Sequence, residues 1–310
     1  MTNSVKKAVL ILAFGGPASL DDVEPFLKNI LKGRTIPPAL LASAMERYRI
    51  IGGKSPLLEI TNAQAAAIEG FMNKAGGSYK VYTGMRYWHP LIKDTMKKMY
   101  DDGVREILAV TMAPFNSPLA TGGYEEDVYQ EAKASYPNDL TIKWLHDWHI
   151  RPEFISIIAD NVREGLAAFA KKEDALVIFS NHSVIMSALE GDPYQMKIDM
   201  TVAEVVKNCP CDYKTGFQSV GRGNPLDWLG PRVEDLIEGA KKAGKKGVLI
   251  VPLGFVSDHV ETLYDIDILF KGVAEKSGLI FKRCPSLNTN PRFTELLAKI
   301  LKSAIERFNY

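Results

Sequence analysis

His182, Glu261 and Asp265 are the side chains best placed to do chemistry. His182 follows the apolar run ALVIFS (175–180), in a polar turn with Ser180, Asn181 and Ser183. Glu261 follows a second apolar run, and Asp265 comes four residues later. Residues four apart share a helix face, so the two acids point the same way from one helix. An imidazole beside carboxylates, with open positions, suits iron(II), and zinc or cobalt as well. The same groups can accept protons as general bases. A purely local reading also exists. Asp258 can cap the helix with Glu261 as its capping-box partner, and acids suit a helix N-terminus. That reading leaves Asp265 unexplained.

Other polar clusters are less specific. Arg86-Tyr87-Trp88-His89-Pro90 follows a strand tip. Arg47 and Tyr48, with Gly52, Gly53 and Ser55 behind them, can bind an anionic group or form a solvated helix face. Gly15-Gly16-Pro17 needs an unusual turn that brings backbone close to a ligand. His146 and His149 lie among aromatics at a domain junction, which suits hinge packing. Gly53-Lys54-Ser55 ends like a phosphate-binding loop, but Tyr48 stands where that loop needs glycine. No glycine-rich dinucleotide fingerprint runs from a strand into a helix.

These residues need a scaffold, and the apolar runs supply one. Ala8–Phe14, Tyr79–Gly84, Glu106–Met112 and Leu140–Leu145 read as one series of buried strands. Ala175–Ser180, Asp212–Gln218, Gly247–Pro252 and Gly278–Arg283 read as a second. Helical patterns separate them, as in Ile60–Asn73, Leu91–Asp101, Glu153–Ala170 and Pro231–Ala243. Continuous apolar strands alternating with helices predict α/β architecture with parallel sheets covered on both faces. The chain also repeats itself at an offset of 140. Phe115, Ser117, Tyr124 and Asp127 match Phe255, Ser257, Tyr264 and Asp267. The expectation is two similar Rossmann-like halves, 1–149 and 150–290, around a central cleft, with helix 291–310 packing back on the body. Ligands bind outside the carboxyl ends of such strands, so His182 and Glu261 belong on the binding edge.

Composition narrows the classes. The 310 residues are 46% hydrophobic and 24% charged, with net charge +1. That balance predicts no nucleic-acid partner. No run approaches the ~20 apolar residues of a membrane span, and Ala8–Phe14 is too short for a signal peptide. The cysteines Cys209, Cys211 and Cys284 suit reduced thiols in the cytoplasm.

Several segments together resemble the ferrochelatase family, over nearly the whole chain. They are FGGP at Phe14–Pro17, RY(x)4GG(x)SPL at Arg47–Leu57, RYWHP at Arg86–Pro90 and the SxHS turn at Ser180–Ser183. GDPY at Gly191–Tyr194, FQS with WLGP between Phe217 and Pro231, and GFVSDHVETLYDID at Gly254–Asp267 complete the set. The resemblance implies a class II chelatase inserting Fe(II) into protoporphyrin IX or coproporphyrin III, late in haem biosynthesis. It implies His182 and Glu261 as catalytic and metal-holding groups, with Asp265 leading iron inward. It implies Phe14, Arg47, Tyr48, Ser55 and Tyr124 as porphyrin contacts. Iron is then a substrate, no permanent cofactor is expected, and peripheral contact with a membrane stays compatible. Asn181, Ile185 and Leu269 depart from the family's common alanine, proline and acid. Phe14 stands where the Gram-positive coproporphyrin enzymes place a tyrosine, and Leu31-Lys32 replaces their arginine pair. Rival readings are a chelatase for another divalent metal such as cobalt, and a non-catalytic tetrapyrrole or haem carrier.

Overall fold

In a computed structural model, the structure describes residues 6–74, 76–221 and 223–307. The last three residues of the predicted 291–310 helix and the first five of the predicted 1–149 half lie outside them. The chain divides into two compact units. One takes the described residues of Met1–Asn116, Thr121–Trp148 and Asn288–Tyr310; the other takes Ser117–Ala120 and His149–Leu287.

In the first unit β1 (Lys6–Ala13), β2 (Lys80–Met85), β3 (Val104–Thr111) and β4 (Thr141–Trp144) form a parallel sheet ordered β2-β1-β3-β4. Central β1 is apolar on both faces because helices cover both; Ala8 to Leu12 are completely buried. The helices of this unit are α1 (Val23–Ile30), α2 (Pro38–Ile50), α3 (Leu57–Asn73), α4 (Ile92–Asp101) and α5 (Gly122–Ser135). Helix α4 buries Ile92, Met96 and Met99 against Leu10, Leu12 and Ile107. Full burial of side chains this size stabilises by about 1.5–3 kcal/mol each.

The second unit has the same plan. Strands β5 (Ala175–His182), β6 (Tyr213–Gln218), β7 (Gly247–Val251) and β8 (Ile280–Arg283) run parallel in the order β6-β5-β7-β8. Its helices are α6 (Pro152–Leu166), α7 (Tyr194–Asn208), α8 (Val233–Lys242) and α9 (Lys271–Lys276), with a π-helix at Glu261–Phe270. Matching strand order in both sheets is what the 140-residue repeat predicts. The crossovers leave the central strand in opposite directions, so each sheet has a switch point at the carboxyl end of its central strand. Residues 14–17 occupy that place after β1, and His182 ends β5.

One strand is longer than the apolar run suggests. Pairing of Asn181 with Phe217 and of His182 with Gln218 carries β5 two residues past Ser180. His182 is therefore the last residue of the strand, not the first of the turn. Helix α10 (Pro291–Glu306) closes the chain on the first unit, packing on α3. Phe293 meets Trp148 with ring centroids 5.7 Å apart. Gln64 Nε2 donates to the Asn288 carbonyl at 2.7 Å.

Candidate active site

The second unit gathers an imidazole and two carboxylates at the switch point of its sheet. His182 is held on both sides. Its carbonyl accepts from the Tyr194 hydroxyl at 2.9 Å, and its Nδ1 lies 2.6 Å from the Ser183 carbonyl. A carbonyl only accepts, so Nδ1 carries the ring proton of the neutral imidazole and Nε2 keeps its lone pair. That lone-pair nitrogen stands 3.8 Å from Glu261 Oε1. The two side chains are partly open to solvent, so reagents can reach them.

Glu261 opens the π-helix, where the i→i+5 pattern widens each turn. Gln218 Nε2 donates to its carbonyl at 3.0 Å, and Gln218 in turn accepts from the Ser180 hydroxyl. The end of β6 thus fixes the start of the helix. The next residue, Ser219, adopts a left-handed φ of 60°, uncommon for a residue with a Cβ. Its Oγ lies 3.0 Å from Glu261 Oε2 and 3.2 Å from Asp265 Oδ2. The two acids share one hydroxyl, whose single proton can serve only one carboxylate at a time.

Asp258 does not cap the helix. Val260 holds the position before Glu261, in helical conformation and without a side-chain cap. Asp258 Oδ1 instead receives Arg283 Nη1 at 3.1 Å and the Ser286 hydroxyl at 2.8 Å, with Thr262 Oγ1 at 3.1 Å. Either use of the carboxylate is charge-assisted, but arginine brings a full opposite charge that a backbone N–H lacks. Arg283 Nε also reaches Asp267 Oδ1 at 2.8 Å. Burial raises the Asp267 carboxyl above its ordinary pKa despite that guanidinium. Burial, then the charge of Glu261, raises the Tyr194 phenol.

The remaining predicted residues lie in the first unit. Phe14 follows β1, is 42% exposed, and sets its ring 4.6 Å from Tyr87 and 6.2 Å from Phe26. Tyr48 is only 5% exposed and meets the other side of Phe26 at 6.5 Å. Arg47, next to it on α2, is half-buried. Ser55 is buried and donates its N–H to the Pro17 carbonyl at 2.8 Å. A Cβ on Gly16 would sit 2.5 Å from Ser55 Cβ, so glycine is what lets the two segments touch. Tyr124 is placed differently. It is buried in the core under the Arg86 guanidinium, 5.4 Å away, and burial raises its phenol pKa. Arg86 stands 4.9 Å from the Tyr87 ring as well and pairs with Asp127 at 2.8 Å. A line of contacts thus runs from Phe14 through Tyr87 and Arg86 to Tyr124.

Sequence reasoning picked out His182, Glu261 and Asp265 but missed Ser219, Tyr194, Gln218 and Arg283 as their supports. Only position within the quoted GDPY and FQS segments hinted at the first three. Among the described residues, no three of His, Cys, Asp and Glu are grouped closely enough to encage a metal ion.

The class follows from fold and similarity together. Solved structures of SirB from Bacillus subtilis with Fe3+, and of the sirohydrochlorin chelatase SirB from subspecies spizizenii in complex with cobalt, share the fold. Their TM-scores are 0.58 and 0.57 at 12% identity, over 97% and 98% of this chain and 96% and 97% of theirs. The chain thus has the doubled α/β fold seen in chelatases. The Ferrochelatase family model matches residues 6–305. A ferrochelatase of Deinococcus radiodurans is 35% identical, covering 97% of both chains. One of Geotalea uraniireducens is 37% identical over 97% of this chain and 98% of its own length. One of Gloeothece citriformis is 34% identical over 97% and 83%. The chain belongs to the ferrochelatase family. It is an enzyme that inserts iron into a porphyrin in haem biosynthesis. No helix among the described residues is long and apolar enough to cross a membrane.

Proposed function

We propose that His182 and Glu261 are the catalytic pair, receiving Fe(II) and accepting the two pyrrole protons. The observation that carries this reading is the 3.8 Å approach of His182 Nε2 to Glu261 Oε1, with Nδ1 tied to a carbonyl. Insertion exchanges one Fe2+ for two N–H protons. One basic nitrogen and one carboxylate are the acceptors that this exchange needs. They are also the donors that replace iron's water ligands stepwise. Asp265, joined to Glu261 through Ser219, passes iron to the pair.

Phe14, Arg47, Tyr48, Ser55 and Tyr124 are the proposed porphyrin contacts. Phe14 offers an exposed ring to a flat macrocycle, and Arg47 offers a cation to its carboxylates. Phe14, standing where the Gram-positive coproporphyrin enzymes place a tyrosine, favours protoporphyrin IX over coproporphyrin III. The proposal includes no permanent cofactor, no nucleic-acid partner and a cytoplasmic location. The domain division proposed is 1–149, 150–290 and the helix 291–310. Anaerobic incubation with Fe(II) and each porphyrin tests the function. Turnover of protoporphyrin IX supports the reading; bound porphyrin without turnover identifies a carrier and overturns it.

A further inference from the structure

The π-helix that bears Glu261 and Asp265 is gripped from outside the site by one arginine. Arg283, the last residue of β8, spans two acids with different nitrogens: Nη1 to Asp258 at 3.1 Å and Nε to Asp267 at 2.8 Å. Asp258 lies three residues before the helix, and Asp267 lies beyond its midpoint. The side chains of Arg283 and Asp258 are only 16% and 18% exposed. Ser286 and Thr262 complete the shell around Asp258. The repeat places an equivalent acid in the first unit, Asp127, which also accepts from an arginine Nε at 2.8 Å. In each unit an arginine Nε thus holds the repeat's acid, and in the second unit Arg283 also holds Asp258, whose counterpart by the repeat is Pro118.

We propose that Arg283 is a positioning residue for iron delivery: by clamping Asp258 and Asp267 together it keeps the wide-turn register that sets Glu261 and Asp265 on Ser219. The geometry supports a positional role over simple neutralisation. Asp258 stands in the lead-in, three residues before the first residue of the helix, and Asp267 stands six residues after it, so one planar fork from the end of β8 ties the lead-in to the body of the helix. A π-helix is rare, and such wide turns are frequent at functional sites. A buried ion pair adds little net stability, and this one joins the helix and its lead-in to the end of β8. The inference rests on the reading of Glu261 and Asp265 as iron-handling groups.

Arg283→Lys separates the two roles. Lysine keeps the charge but lacks the fork that holds two carboxylates at once. Insertion kinetics are measured anaerobically, varying Fe(II) at saturating protoporphyrin and the reverse. A positioning role predicts a fall of about 10- to 100-fold in kcat/KM for Fe(II), as for supports behind metal-handling groups. The porphyrin KM should stay within about twofold. Values within about twofold of wild type for both substrates overturn the clamp, and so does a loss shared equally by both. Should Arg283→Lys not fold, the triple variant Arg283→Gln, Asp258→Asn, Asp267→Asn removes all three charges and faces the same criteria. Glu261→Gln with the clamp intact is the control. If it still turns over, the site reading fails and the clamp proposal falls with it; if it is dead while Arg283→Lys is normal, only the clamp fails.

Discussion

His182 Nε2 faces Glu261 Oε1 at 3.8 Å. That is too long for a hydrogen bond and well matched to a shared ion. Two metal bonds of about 2.1 Å each span up to about 4.2 Å, so one cation can touch both groups without rebuilding the site. Both are fixed from behind, His182 by Tyr194 and Ser183, Glu261 by Gln218 and Ser219.

Ser219→Ala deletes the hydroxyl that approaches both Glu261 and Asp265. A hydrogen bond to a charged group contributes about 1.5–3 kcal/mol, so kcat/KM for Fe(II) should fall roughly 10- to 100-fold. The porphyrin KM should hold. Steady-state kinetics with each substrate varied will show whether the loss is confined to iron.

Gly16→Ala tests the first unit. The new Cβ would lie 2.5 Å from Ser55 Cβ and 2.6 Å from its Oγ. Overpacking of this kind costs about 1–3 kcal/mol. We expect a lower Tm and a raised porphyrin KM, with the Fe(II) KM unchanged. An unaltered porphyrin KM would remove Ser55 from the contact set.

The thiols should be slow. Burial, then Cys209 and Asp212 nearby, push Cys211 up to about 11, and burial pushes Cys284 up to about 12. At pH 8 the Cys211 thiolate fraction is then roughly 200-fold below that of an ordinary thiol of pKa about 8.5, and alkylation should slow accordingly. The folded pKa values lie above the unfolded ones, so the unfolded chain loses these protons first. This contribution to stability is complete below about pH 8.5 and disappears as pH rises towards 11–12. Alkylation rates against pH, with denatured protein as reference, check both statements.

The sheets were legible because buried parallel strands leave unbroken apolar runs such as AVLILA, which no exposed segment needs. His182 and Glu261 were legible because they follow such runs. The π-helix was not. The apolar pattern of ETLYDIDILF fits i→i+4 and i→i+5 bonding equally well, so nothing local singles out one. Asp258 misled for the same reason. A capping box is a local signal, and a guanidinium distant in sequence overrode it. Ser219 was hidden because nothing in a sequence marks a serine held at positive φ.

The proposed catalytic pair is tested most directly by anaerobic Fe(II) insertion into protoporphyrin with His182→Ala and Glu261→Gln, each checked for native circular dichroism. We expect both variants to fold and neither to insert iron above the uncatalysed rate. Near-normal insertion by both folded variants would contradict the assignment of the imidazole and the carboxylate as the reacting groups.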